Sequence, residues 1–311
     1  MESSLKQLEK YSAIVVDSGD LELIKKFCPH DATTNPSLLL KAAGQPQYAH
    51  LIEQGRVVAQ TKGIGPALNH LITSFGLEIL KIIDGRVSTE VDARLSFDTG
   101  ATVKKARDMI NLYEKNKIPR ERILVKIAAT WEGICAAKIL EAEGIHCNLT
   151  LLFSKVQAIS CAEANVALIS PFVGRILDWH KAKTNLDYIA DSDPGVQSLI
   201  EIFNYCKHFD YKTEIMGASF RNIEEIMALS GCDLLTINPV LLEQLEATFQ
   251  KVERNLSANE SKKLPMEKLS YDEKIFRHEL NRNVMATEKL AEGIRNFSSD
   301  IEKTEALLLS E

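Results

Sequence analysis

The chain has 311 residues, 45% hydrophobic and 26% charged, enough to bury a large core as one α/β barrel or as two smaller domains. Its formal net charge of −6, with both signs interspersed, argues against a nucleic-acid-binding surface or one for anionic membranes. Six cysteines, at 28, 135, 147, 161, 206 and 232, show no C-x-x-C pair and no histidine at zinc-ligand spacing, so a reduced, cytoplasmic setting without a metal centre is expected.

The stretch MESSLKQLEKYS (1–12) reads as a short N-terminal helix and lacks the basic segment and apolar run of an export signal. No run of about 18 apolar residues follows anywhere, so no membrane span is expected. AIVVDSG (13–19) is the first apolar, β-branched run, and DATTNP (31–36) is a second, weaker one. GIGPALNH has Gly63 and Gly65 but Leu68 where a dinucleotide fingerprint needs its third glycine, so it reads as a loop entering a helix. RVSTEVD (86–92) is the third run. In the segment after it, Val103, Ala106, Met109, Ile110 and Tyr113 fall on one helical face.

Five further runs follow: ILVKIAA (123–129), CNLTLLF (147–153), ALISPFV (167–173), EIMGAS (214–219) and LLTINP (234–239). Eight strand-like runs alternating with helical segments predict a closed (β/α)8 TIM barrel, taken as a single domain over 1–311. NLSANESKKLPMEKLSYDEK reads as an exposed connection. From about residue 267 the tail returns to helix, with Leu290, Ile294, Phe297, Ile301 and Leu308 as an apolar stripe expected to pack on the barrel exterior. A cover over the mouth is the alternative.

Polar residues interrupt these runs in a consistent place. Asp17 and Asn35 lie near the ends of the first two, Glu90 near the end of the third, Asn148 and Thr150 within the fifth, Ser170 in the sixth, and Ser219 ends the seventh. In a barrel such positions converge on the C-terminal mouth, where active sites of this fold are built. Lys126 sits inside the fourth run, among residues apolar on both faces. Either it pairs structurally with Glu90 or Asp17, or burial lowers its pKa and makes the neutral amine a nucleophile for carbonyls.

The motifs VVDSGD, DATTNPSL, GRVSTEVDARLSFD, ILVKIAATWEGI, CNLTLLFS, ISPFVGRILDW, GASFRN and LAEGIR, in order from residue 15 to 295, resemble the transaldolases of the pentose phosphate pathway. The resemblance implies a barrel without metal or organic cofactor. It also implies transfer of a dihydroxyacetone unit from sedoheptulose 7-phosphate or fructose 6-phosphate to an aldose phosphate. Carried over to this sequence, Lys126 is the Schiff-base lysine, Glu90 the general acid and base working through a water beside Thr150, and Asp17 the base for C–C cleavage. Thr33, Asn35, Asn148 and Ser170 are implied in holding the dihydroxyacetone hydroxyls, and Arg175, Ser219 and Arg221 in clamping phosphate. An isolated Asn at a strand end can equally serve the backbone, and a loop Arg a surface salt bridge.

Phe172 shares a face with Ser170 if the strand continues, and its ring has no hydroxyl with which to assist release of the bound fragment; ordinary packing is the other reading. Ala129, Phe97 and Asn238 depart from residues frequent among relatives, at positions expected to tune the pocket and not the reaction class. A Schiff-base aldolase releasing free dihydroxyacetone is the nearest alternative, and an inactive sugar-phosphate-binding barrel is a third, disfavoured by intact Lys126, Glu90 and Asp17. Members of the family are often homodimers.

Overall fold

The computed structural model describes residues 2–189 and 192–310. Eight strands, β1 (Ala13–Asp17), β2 (Asp31–Thr33), β3 (Val87–Glu90), β4 (Ile123–Ala128), β5 (Cys147–Leu152), β6 (Leu168–Pro171), β7 (Glu214–Gly217) and β8 (Leu234–Ile237), form a closed parallel barrel in sequence order. All eight predicted runs are strands, including the short second one. The N-terminal helix is the short Ser4–Leu8, whose Ser4 hydroxyl donates to the Gln250 carbonyl at 2.9 Å. Gly63 is a one-residue break between the helices Ala49–Lys62 and Ile64–Leu80, so GIGPALNH is helical from Ile64 on and no loop precedes it.

Burial on both sides of the strands follows from their apolar content. Outward side chains pack under the surrounding helices, as does the stripe Val103, Ala106, Met109, Ile110 and Tyr113 of the helix Thr99–Lys115. Inside, Val15, Leu124, Leu168, Met216 and Leu234 form a separate small cluster that fills the barrel's lower half. Residues two apart on a strand share a face. Two positions further along these strands stand Asp17, Lys126, Ser170, Ala218 and Thr236, so the interior turns from apolar to polar within one layer. At the N-terminal ends of the strands, Arg86 ties β2 to β7 through Asp31 at 2.9 Å and Glu214 at 2.7 Å.

The C-terminal stripe packs in part on the outer helices, where Leu308 closes on Gly55 of the helix Ala49–Lys62, and in part at the rim of the mouth. Leu290, Ile294, Phe297, Ile301 and Leu308 are buried on one face of the helix Val284–Leu309. Phe297 faces Arg175 just beyond β6, and Ile301 and Thr304 line an apolar cavity with Glu90 of β3. Near its end, Glu305 pairs with Arg94 beyond β3 at 2.6 Å. Gly293 sits against Leu151 of β5, where a Cβ would collide with the leucine side chain. The helix therefore runs from the rim of the mouth onto the outer helices: helical periodicity shows that a face is buried, but not what buries it.

All six cysteines are free thiols. Among the described residues, no helix is long and apolar enough to cross a membrane.

Candidate active site

Parallel register sets Glu90 of β3, Lys126 of β4 and Asn148 of β5 side by side, with Thr150 next to Ala128 one step higher. Laterally paired residues point to the same face, here the interior. The Lys126 amine donates to the Thr34 carbonyl at 3.0 Å and lies 3.2 Å from Glu90 Oε2. Both residues are 4% exposed. The angle of that ion pair leaves Oε2 without a well-directed hydrogen bond, and Thr150 Oγ1 is likewise buried without a partner among the described residues.

Asp17 ends β1, in register with Thr33 of β2. Its carboxyl is held above the usual carboxylate range by burial, which outweighs the opposing pull of the Lys126 and Arg175 charges. Glu90 is raised for the same first reason, again against Lys126. Two carboxyls whose pKa values are raised, set beside an amine, are suited to moving protons.

Below this row, hydrogen bonds cross the barrel. Ser170 donates to Asn148 Oδ1 at 2.6 Å, and Asn148 Nδ2 donates to Ser88 Oγ at 3.0 Å. A fully buried amide needs such partners, and this pairing locks its orientation. Thr33 is buried beside Ser88 in register, its hydroxyl 3.5 Å from the Thr34 carbonyl. Asn35 caps the helix Pro36–Ala43 by accepting from Leu38 N at 3.0 Å, which commits its carbonyl oxygen to the backbone.

The arginines differ in their surroundings. β6 ends at Pro171, so Phe172 lies just past the strand and opens the helix Val173–Thr184. Its ring meets Phe153 edge-on at 5.5 Å, and the Arg175 guanidinium lies 4.9 Å from its centroid. Burial, then the neighbouring Arg221 charge, push the Arg175 pKa down, the cost of holding a cation in a partly dry, positive corner. Arg221 instead grips Asp178 with two nitrogens, at 3.0 and 2.7 Å, and donates to the Ser219 carbonyl at 2.9 Å. Ser219 adopts a left-handed conformation with φ of 65°, and Gly174 lets this turn close on the helix start, since a Cβ there would strike the Ser219 carbonyl. Glu225 anchors the turn by accepting from Arg221 N at 2.6 Å.

Asp17, Thr33, Glu90, Lys126, Asn148, Thr150 and Ser170 stand on six strands of the barrel, and Asn35, Phe172, Arg175, Ser219 and Arg221 follow shortly after strand ends. Several participants escaped the sequence reading. Ser88 carries a signal, because it stands two before Glu90 in the same run; the Thr34 carbonyl, Asp178 and the placement of Phe297 carry none. Of the departures, Ala129 is buried and its carbonyl accepts from Gln157 Nε2 at 2.9 Å, while Phe97 is 66% exposed. Asn238 caps the helix Pro239–Ala247 and, with Asp17 and Lys41, lines a cavity of about 310 Å³ beside the mouth.

A closed (β/α)8 barrel whose mouth collects a buried amine, two buried carboxyls and two arginines has the makings of an imine-forming barrel enzyme. Residues 14–308 match the family model described as Transaldolase/Fructose-6-phosphate aldolase. The chain is 56% identical over 319 residues to a protein of Prochlorococcus marinus named Transaldolase, covering 99% of this chain and 95% of that one. It is likewise 56% identical to a Schizosaccharomyces pombe Transaldolase, with 98% of each covered, and 57% identical to one of Methylobacillus flagellatus, with 97% of each covered. The chain belongs to the transaldolase/fructose-6-phosphate aldolase family.

Proposed function

We propose that the enzyme transfers a dihydroxyacetone unit between ketose and aldose phosphates, that is, transaldolase activity, through an imine on Lys126. The donors are sedoheptulose 7-phosphate or fructose 6-phosphate, and the acceptors glyceraldehyde 3-phosphate or erythrose 4-phosphate. The Lys126–Glu90 pair carries the reading: at 3.2 Å in a buried site the carboxyl can take the ammonium proton and leave a neutral amine.

That amine attacks the ketose carbonyl. Burial favours the uncharged form of Glu90, which gives a proton to the departing carbinolamine hydroxyl, so water leaves and the iminium forms. Glu90 Oε2 and Thr150 Oγ1, both buried and without a well-directed hydrogen bond among the described residues, support proton transfer through a water between them. Asp17 then takes the proton of the β-hydroxyl, the adjacent C–C bond breaks, and its electrons move to the iminium nitrogen as an enamine. The aldose phosphate leaves. The enamine carbon adds to the acceptor aldehyde, Asp17 returns the proton to the new alkoxide, and hydrolysis frees Lys126.

Ser170 and Asn148, with Thr33 and Asn35, bind the hydroxyls of the three-carbon unit, and Ser88 fixes the Asn148 amide from behind. Arg175, Arg221 and Ser219 bind phosphate. The free thiols support a reducing, cytoplasmic setting.

A second reading, release of free dihydroxyacetone from fructose 6-phosphate, is favoured by one observation, that the matching family description spans both activities. Phe172 weighs against it, because its hydrocarbon ring offers no hydroxyl to help protonate or hydrolyse the enamine. A coupled assay with fructose 6-phosphate and erythrose 4-phosphate separates the two: sedoheptulose 7-phosphate in excess over dihydroxyacetone is the expected result. Dihydroxyacetone alone would establish the second reading, and no turnover would sink both.

A further inference from the structure

We propose that Phe297, on the C-terminal helix at the rim of the mouth, is a positioning residue for phosphate binding: with Phe172 it holds the Arg175 guanidinium so that its nitrogens are presented to the substrate phosphate. The inference rests on the reading of Arg175 as a phosphate ligand. The guanidinium carbon is 4.9 Å from the Phe172 ring centroid and 5.7 Å from that of Phe297, both within cation–π range.

The chemistry of the two arginines differs in a way that matters here. Arg221 is oriented by a carboxylate, and Asp178 occupies the donor edge that would otherwise meet phosphate. Arg175 has no hydrogen bond or ion pair to protein among the described residues, and its nearest directional contacts are the two rings. A ring uses the face of a guanidinium and leaves its five N–H donors at the edge. Glu292, Glu90 and Asp17 attract its charge from a distance, but none of them takes up its N–H donors.

Phe297 can do this because its own position is over-determined. It is 1% exposed, and one turn away Gly293 brings the helix onto Leu151. Arg94 holds Glu305 at 2.6 Å, and Arg56 reaches the Leu307 carbonyl at 3.4 Å. Helix and phosphate site thus form one unit, and a shift of the helix alters the phosphate handle.

The test is Phe297→Leu, which keeps an apolar filling but removes the π face, assayed with saturating donor and two acceptors, glyceraldehyde 3-phosphate and unphosphorylated glyceraldehyde. The KM for the phosphorylated acceptor should rise about five- to thirty-fold, the change carried by a desolvated cation–π contact. The KM for glyceraldehyde and kcat should change less than about twofold on the same reasoning, since uniform binding is what is lost. Equal changes for both acceptors, or no change, would overturn the proposal. If the leucine variant does not fold, fluorinated phenylalanines placed at 297 keep the volume while weakening the ring face, and a KM for glyceraldehyde 3-phosphate that fails to climb with fluorine number overturns it equally. Arg175→Ala is the control: if it leaves that KM unchanged, the phosphate-ligand reading itself is wrong, whereas a raised KM there with an unaffected Phe297→Leu enzyme rejects only the role of Phe297.

Discussion

Lys126 and Glu90 stand directly opposite each other on adjacent parallel strands, their charged ends 3.2 Å apart and both residues 4% exposed. Two full charges in such a place are costly unless paired, and removing one partner strands the other. The pair therefore keeps a proton acceptor directly beside an amine that must be uncharged to attack a carbonyl.

Borohydride added with fructose 6-phosphate should reduce the imine, leave a three-carbon adduct on Lys126 and abolish activity. Peptide mapping by mass spectrometry reads the site. Lys155, which pairs with Glu201 at 2.8 Å on the surface, should stay unlabelled. Adduct on Lys155 or Lys138 in place of Lys126 would reject the assignment.

Replacing Glu90 by Gln keeps the size of the side chain but removes its exchangeable proton. A fall in kcat of roughly 10²–10⁴ is expected, the usual range for lost acid–base catalysis. Since burial raises the Glu90 pKa, the acid limb of the wild-type kcat profile governed by it should lie above the ordinary glutamate range and vanish in the variant. Near-normal turnover in Glu90→Gln would remove the residue from the mechanism.

Both Arg175→Ala and Arg221→Ala should chiefly raise KM for phosphorylated substrates, with smaller effects on kcat, if phosphate is held alike in ground and transition states. The larger increase is expected at Arg175. Arg221 is already half neutralised by Asp178, whose two bonds to it are 3.0 and 2.7 Å long. Steady-state kinetics with both variants decides the order, and a larger effect at Arg221 would contradict it.

Glu225 offers a stability test. Burial, with Asp193 nearby, pushes its pKa up to about 7 from an ordinary 4.5. A raised folded-state pKa means that the native protein holds more protons than the unfolded chain between those values, so stability is fullest below about 4.5 and declines as pH rises through about 7. Glu225→Gln still accepts from Arg221 N but cannot ionise. Its Tm relative to wild type should therefore improve with rising pH across that window, as thermal unfolding at pH 4.5, 6 and 7.5 would reveal. A difference independent of pH would show that Glu225 does not titrate there.

Much of the barrel was legible in the residues. Runs such as ILVKIAA and CNLTLLF are apolar on both faces because the strands they form are buried on both, and that burial is non-directional, requiring only that apolar residues be dense. The polar interruptions at Asp17, Glu90, Lys126, Asn148 and Ser170 were equally readable, because parity along a strand is enough to send Lys126 and Leu124 to one face. What waited for the tertiary structure were the directional contacts. Whether the stripe through Phe297 lay outside the barrel or across its mouth, whether Arg221 met a carboxylate, and whether the Asn148 amide was engaged by Ser88 all depend on register and helix placement across separations such as 60 residues. Hydrogen bonds and ion pairs form or fail over a few tenths of an ångström and some tens of degrees, and no local pattern in the chain encodes which distant atom will arrive within that range.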